Sequence, residues 1–371
     1  MHPLYKLAWV AFFLAVAYSI WQLGSVQSPQ RDNDMKRPKP RGASSLGTDA
    51  LHHEEHPPKA VQALPSHVVE QSLASVIPAS EPPGDPVLSA LVVTLYNESP
   101  RARLRFFQCI KTWEKHLQFV KRRKYPIIVF YLTGVKDELS ADQMQTLRAS
   151  APSLVLEFHP VTHVIPQRFR GNIKKILEHQ MPKRGLGYIF CSQFLGFEMF
   201  KHPRLQSAEY ILRLDDDITF DADAATDLFE DMHRHNISVG WNCIKKQWDK
   251  SSAQMDGRIQ AYVDRRRAAG LPVQPAFDDL MPNGTWNMRL YAGCVEVYRA
   301  ALYVSEAYYA FLEEIDMLEG IYMRSWMEQA FKTLWMAIVT PPDAWRRYAC
   351  ELPTLHRGTR ETWFDYVGCA A

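Results

Sequence analysis

Three adjacent carboxylates, Asp215, Asp216 and Asp217, end the apolar run Tyr210 to Leu214 inside "EYILRLDDDITFDAD". In extended backbone, residues two apart face the same side. Asp215 and Asp217 are therefore predicted to converge on one ion while Asp216 points elsewhere. Two hard oxygen ligands at a strand end suit Mg²⁺ or Mn²⁺. A cation held there could bind a diphosphate and stabilise the charge that develops as it leaves, which is Lewis-acid chemistry. An Asp-x-Asp triplet is common by chance, and what distinguishes this one is the apolar strand directly before it. Asp221 and Asp223 form a second triplet, which reads instead as the cap and start of a helix carrying Leu228, Phe229 and Met232.

Spacing excludes other metal chemistries. A calcium loop of the EF-hand type needs a Gly and a distant Glu that this stretch lacks. The six cysteines, at 109, 191, 243, 294, 350 and 369, show neither CxxC nor Cys/His spacing, which argues against structural zinc. In an oxidising compartment one or two disulfides are expected, with no pairing readable from the sequence. No second ligand cluster supports a two-metal phosphohydrolase. A net charge of +2 and the lack of a basic stripe with interleaved aromatics argue against a nucleic-acid partner.

The elements that must position these residues alternate. Leu91 to Tyr96, Tyr125 to Leu132, Leu154 to Phe158, Tyr210 to Leu214 and Leu290 to Tyr298 read as strands. Helical spacing is seen from Leu104 to Val120, and helices are predicted near 141–150, 172–179, 188–200, 304–318 and 325–338. This order predicts an α/β fold with a mainly parallel sheet. Ligands of such sheets bind beyond the carboxyl ends of the strands.

The run "GYIFCSQFLGFEMFKHPRLQSAEYILRLDDDITF" resembles a segment of the fungal Golgi α-1,2-mannosyltransferases, the glycolipid 2-α-mannosyltransferase family. In that family Tyr, Cys and Phe precede "KHP.L", a Tyr-rich strand and an Arg-x-Glu-Pro-x metal motif. The later run "GCVEVYRAALYVSEAYYAFLEEIDMLEGIYMRSWMEQA" resembles its Asn-Phe-Glu-Ile strand, its Ser-x-Ala-Tyr helix and its Gly-x-Tyr-x-x-x-Trp segment. The likeness spans roughly Leu91 to His356. It implies an A-type glycosyltransferase fold, Rossmann-like with helices flanking the sheet. It also implies Mn²⁺ (or Mg²⁺), GDP-mannose as donor, a glycan or glycoprotein acceptor, and retention of configuration at the sugar.

Residue by residue, the resemblance implies Asp215, Asp217 and a late imidazole, His356, as metal ligands. Glu296 falls on the acidic residue of the Asn-Phe-Glu-Ile strand, as nucleophile or stabiliser of an oxocarbenium-like transition state, with Tyr188 beside it in the catalytic set. Tyr96, Asn97 and Asp216 are the donor-contacting residues, and Glu328 takes the place of an Asp after Trp. The chain has Asp-Asp-Asp for Glu-Pro-x and Cys-Val-Glu-Val for Asn-Phe-Glu-Ile. Another donor class on the same fold, and a non-catalytic Golgi carbohydrate-binding protein, therefore stand as alternatives.

Three domains are expected: an anchor over 1–30, a Pro-rich, mixed-charge stem over 31–86, and a catalytic domain over 87–371. Leu7 to Gln30 carries no charge, and its apolar character continues past Ala15-Val16-Ala17, the alternative cleavage site of a signal peptide. Arg31, Lys36, Arg37, Lys39 and Arg41 would by themselves keep the following chain cytoplasmic. A single-pass type II Golgi protein with a lumenal catalytic domain is expected from the implied function, against that local charge. In that compartment Asn236 and Asn283 head glycosylation sequons.

Overall fold

The structure, a computed structural model, describes residues 88–96, 100–135, 138–180, 185–247, 254–291 and 294–356. The expected anchor and stem, and Asn97, lie outside them. Among the described residues no helix is long and apolar enough to cross a membrane.

Eleven strands are described: β1 (Ala90–Tyr96), β2 (Pro126–Leu132), β3 (Val155–Val161), β4 (Tyr210–Leu214), β5 (Ile218–Phe220), β6 (Val239–Trp241), β7 (Lys245–Lys246), β8 (Arg289–Leu290), β9 (Val295–Arg299), β10 (Trp345–Arg347) and β11 (Thr354–His356). Seven of them form the central sheet in the order β10-β6-β9-β4-β1-β2-β3. Neighbours from β4 to β3 are parallel, β9 runs antiparallel to both β4 and β6, and β10 is parallel to β6. The sheet is thus mainly parallel, with one reversed strand beside β4.

Strand alternation explains the two packed faces. Leu91, Val93, Ile128, Phe130 and Ile211 belong to one buried cluster, with Phe194, Phe311, Phe331 and Trp335 from the helices Leu186–Gly196, Glu306–Glu314 and Glu328–Val339. Val92, Ile127, Val129, Leu212, Val295 and Val297 belong to the other, with Phe106, Ile110 and Trp113 of the helix Pro100–His116 and Phe229 and Met232 of Leu228–Arg234. Residues one apart go to opposite layers, which is why these strands read as continuous apolar runs. At Gly240 in β6 an added Cβ would lie 2.4 Å from the Tyr348 ring, so only glycine lets that aromatic ring approach the sheet.

Three sequence expectations are corrected. Leu290 to Tyr298 is not one strand: β8 pairs with β7 in a separate ribbon, and β9 alone enters the central sheet. The helix expected over 304–318 is broken at Asp316, which adopts a left-handed φ of 48° and caps Met317–Arg324 by accepting from Glu319 N–H. Asp221 and Asp223 do not begin the next helix. Asp227 caps it, accepting from Phe229 N–H at 3.1 Å and Glu230 N–H at 3.2 Å, while Asp223 sits 2.8 Å from His116 Nδ1.

Candidate active site

β4 carries a charged residue, Arg213, at 2% exposure in an otherwise apolar strand. A guanidinium so buried requires anionic partners, and three surround it. Glu296 lies directly across on β9 and accepts from Arg213 Nη1 at 3.0 Å. Asp215 accepts from Nη2, and a carboxylate oxygen of Glu328 is 3.6 Å from the same nitrogen. A second buried cation, Lys332, donates to the same oxygen of Glu296, Oε1, at 2.5 Å. Burial pushes the Glu296 carboxyl up, but Lys332 and Arg213 outweigh it and hold the group below the usual carboxylate range. At Glu328 burial wins, and that carboxyl is raised.

Beyond Leu214 the chain turns. Ile218 N–H donates to the Asp215 carbonyl at 3.2 Å, closing a turn over Asp216 and Asp217 before β5 begins. The helix Pro100–His116 braces this turn from one side. Trp113 Nε1 donates to the Ile218 carbonyl at 2.8 Å, Cys109 Sγ lies 3.3 Å from the Asp216 carbonyl, and Phe220 N–H donates to Thr112 Oγ1 at 3.2 Å. From the other side β11 pairs antiparallel with β5, and its register sets His356 opposite Ile218. His356 Nε2 thereby reaches 3.2 Å from Asp217 Oδ1, across 139 residues of sequence.

The predicted metal residues are thus divided. Asp217 and His356 meet, whereas Asp215 is turned onto Arg213. The alternation rule does not apply across Asp216 and Asp217, because the backbone there is a turn and not a strand. Among the described residues no three His, Cys, Asp or Glu side chains gather as a ligand set. The chemistry of the Asp217 and His356 pair still fits a divalent cation, with one hard oxygen and one imidazole nitrogen facing each other. Arg105 Nη1 stands 3.8 Å from Asp217 Oδ2, and its Nε is buried with no hydrogen-bond partner among the described residues. That unused donor suits an anion arriving with the cation.

The other expected residues are less tightly gathered. Tyr96, at the carboxyl end of β1, is 1% exposed, its ring 5.4 Å from Phe106 and its hydroxyl accepting from Arg103 Nε at 3.3 Å. These contacts are those of a core aromatic, not of an open platform for a base. Asp216 is half-buried in the turn, and Tyr188 is half-buried in the first turn of Leu186–Gly196. Arg213, Lys332 and Arg105 were not expected from the sequence. The signal for the first two was present: a cation inside "YILRL" and another inside "AFKTLWMAIV" must each find a buried carboxylate. Cys350 is disulfide-bonded, in keeping with the expected one or two disulfides, and Cys109 is a buried thiol.

Comparison with known proteins agrees with this architecture. No curated protein sequence matches the chain significantly. Among solved structures it is similar to core-mannan synthase A (CmsA/Ktr4) from Aspergillus fumigatus, in its Mn/GDP form, at 14% identity and a TM-score of 0.60, over 76% of this chain and 84% of that one. It is similar also to the mannosyltransferase Ktr4p from S. cerevisiae, at 16% identity and a TM-score of 0.61, over 74% and 72% of the two chains. These likenesses establish a shared α/β glycosyltransferase fold. The family model described as glycolipid 2-alpha-mannosyltransferase matches residues 167–351, a stretch holding both the Asp215 to Asp217 turn and Glu296. On that match, residues 167–351 of the chain belong to the glycolipid 2-alpha-mannosyltransferase family of glycosyltransferases.

Proposed function

We propose that the chain is a metal-dependent, retaining α-1,2-mannosyltransferase that moves mannose from GDP-mannose to a hydroxyl of a glycan or glycoprotein acceptor. The observation that carries this reading is the meeting of Asp217 with His356 beyond the end of β4, one strand from the buried carboxylate Glu296. Support comes also from the relatives: core-mannan synthase A is solved in a Mn/GDP form, and yeast Ktr4p in complex with GDP.

Asp217 and His356 would hold Mn²⁺, which when bound supplies Lewis-acid stabilisation of the leaving diphosphate. Arg105, beside Asp217, adds a fixed positive charge for the same anion. Glu296 remains ionised because Lys332 and Arg213 hold it so, and an ionised carboxylate stabilises positive charge on the sugar. Arg213 bridges the two ends of the site, bonding Asp215 with one nitrogen and Glu296 with another. Water access to the bound donor would have to be limited, because an activated sugar is otherwise hydrolysed. We place the enzyme in the Golgi membrane as a single-pass type II protein with a lumenal catalytic domain.

The test is nucleoside diphosphate release by the detergent-solubilised full chain, over a panel of nucleotide sugars, with Mn²⁺ or with chelator. Release from GDP-mannose alone is expected, abolished by chelator and lowered at least about 100-fold by Asp217→Ala or His356→Ala. Release from another donor would replace mannose and keep the site. Silence across the panel, without metal-dependent donor binding, would favour a non-catalytic carbohydrate-binding protein.

A further inference from the structure

Lys332 lies in the helix Glu328–Val339, and at 0% exposure its ammonium never meets solvent. Its Nζ is enclosed by three aromatic rings, 4.8 Å from the centroid of Tyr303, 5.0 Å from Tyr298 and 5.5 Å from Phe200. Such a cage stabilises a cation by its ring faces while offering it no competing anion. The carboxylate that completes the cage is Glu296. Arg213 reaches the same carboxylate from the other side, and both cations bind one oxygen, Oε1. Among the described residues Oε2 accepts no hydrogen bond. An ammonium buried this completely is costly to keep, and for stability alone apolar residues in place of the whole buried charged set would serve the fold at least as well.

We infer that Lys332 is a positioning residue for the transfer reaction: by occupying Oε1 together with Arg213, it fixes the rotamer of Glu296 so that Oε2 is the oxygen turned to the sugar. The inference rests on the proposed transferase function and on Glu296 as its carboxylate, and assigns Lys332 no contact with substrate. Arg213 alone cannot fix the carboxylate, because the same guanidinium also bonds Asp215 and would follow any movement of the turn that ends at Ile218. Lys332 refers Glu296 to a different body, the buried helix behind the sheet, and so decouples it from the metal end of the site.

The test is a double-mutant cycle on the full chain with GDP-mannose. Lys332→Met keeps the side-chain volume and removes the charge. It should lower kcat by about 100-fold with donor KM within about threefold, because the lost interaction acts in the transition state and not in ground-state binding. In a Glu296→Gln background the same change should cost less than about threefold, since Lys332 acts only through Glu296. Lys332→Arg, which keeps a cation near Oε1, should recover part of the loss. If Lys332→Met does not fold, Lys332→Arg and Lys332→Gln carry the same cycle. An unimpaired kcat, or an equal loss in both backgrounds, would overturn the positioning role while leaving the transferase function intact. A wild-type chain that releases no nucleotide from any donor would remove the function and this inference together.

Discussion

At the residue scale the site is a chain of charges in which each group is explained by its neighbour. Arg213 and Lys332 are buried because Glu296 is, and Glu296 is ionised because they are. Removing one member of such a set leaves an uncompensated charge, which costs about 3–5 kcal/mol. This makes a sharp prediction for Glu296→Gln. The carboxyl sits below its ordinary value of 4.5 in the folded chain, so its contribution to stability is fully present above that value. It is lost as pH falls through the lower, folded value. Thermal unfolding followed from about pH 7 to about pH 3 should therefore show wild type well above Glu296→Gln at neutral pH and the two curves closing below about pH 4.5. A gap that stays constant with pH would mean that the carboxylate is not charge-stabilised as described. Of these residues the sequence made Glu296 legible through a family resemblance, but not its partners. Arg213 and Lys332 sit 119 residues apart, and only the register of β4 on β9 and the burial of one helix bring them to one oxygen.

At the scale of elements, the alternation rule served well within strands and failed at their ends. It sorts Leu91 and Val93 from Val92 across the sheet, yet it misplaces Asp215 because β4 stops at Leu214. The turn that follows is held by long-range contacts that no local pattern encodes: the indole of Trp113, and the short β11 that pairs with β5. Three-residue strands such as these carry too few alternations to be seen in a sequence. Trp113→Phe tests the brace. It removes the indole N–H from a fully buried bond to the Ile218 carbonyl and should cost about 1–3 kcal/mol. It should also loosen the Asp217 and His356 pair, raising the Kd for Mn²⁺ several-fold by calorimetric titration. Tyr125→Phe supplies the control, since it removes another buried bond, to Asp227 at 3.1 Å, whose partner caps a helix rather than the turn. Equal metal affinity in the two variants would show that the helix Pro100–His116 supports the fold without tuning the site.

At the scale of the whole molecule, the proposed lumenal placement can be read out from the surface of the catalytic domain. Two sequons are described, and the structure separates them. Asn283 is exposed in a tight turn with φ of 56°, and Thr285, which completes its sequon, is exposed as well. Asn236 is exposed, but its amide oxygen accepts from Arg299 at 3.2 Å, and the intervening Ile237 is buried at 5%. An oligosaccharide donor needs both the amide and the hydroxyl of a sequon presented together on accessible chain, which Asn283 offers and Asn236 does not. A lumenal domain is therefore expected to carry one glycan of the two, at Asn283. The basic residues from Arg31 to Arg41 argue the opposite orientation by charge alone, so the outcome discriminates between two physical arguments. Expressed in a eukaryotic secretory pathway, the full chain should lose the mass of one glycan from Asn283 on enzymatic deglycosylation, and Asn283→Gln but not Asn236→Gln should abolish that shift. If neither sequon is modified in the full chain, yet Asn283 is modified when the same chain is led by a cleavable secretory signal, the sequon is accessible and the type II orientation is wrong. If Asn283 stays bare even then, the exposure argument itself has failed.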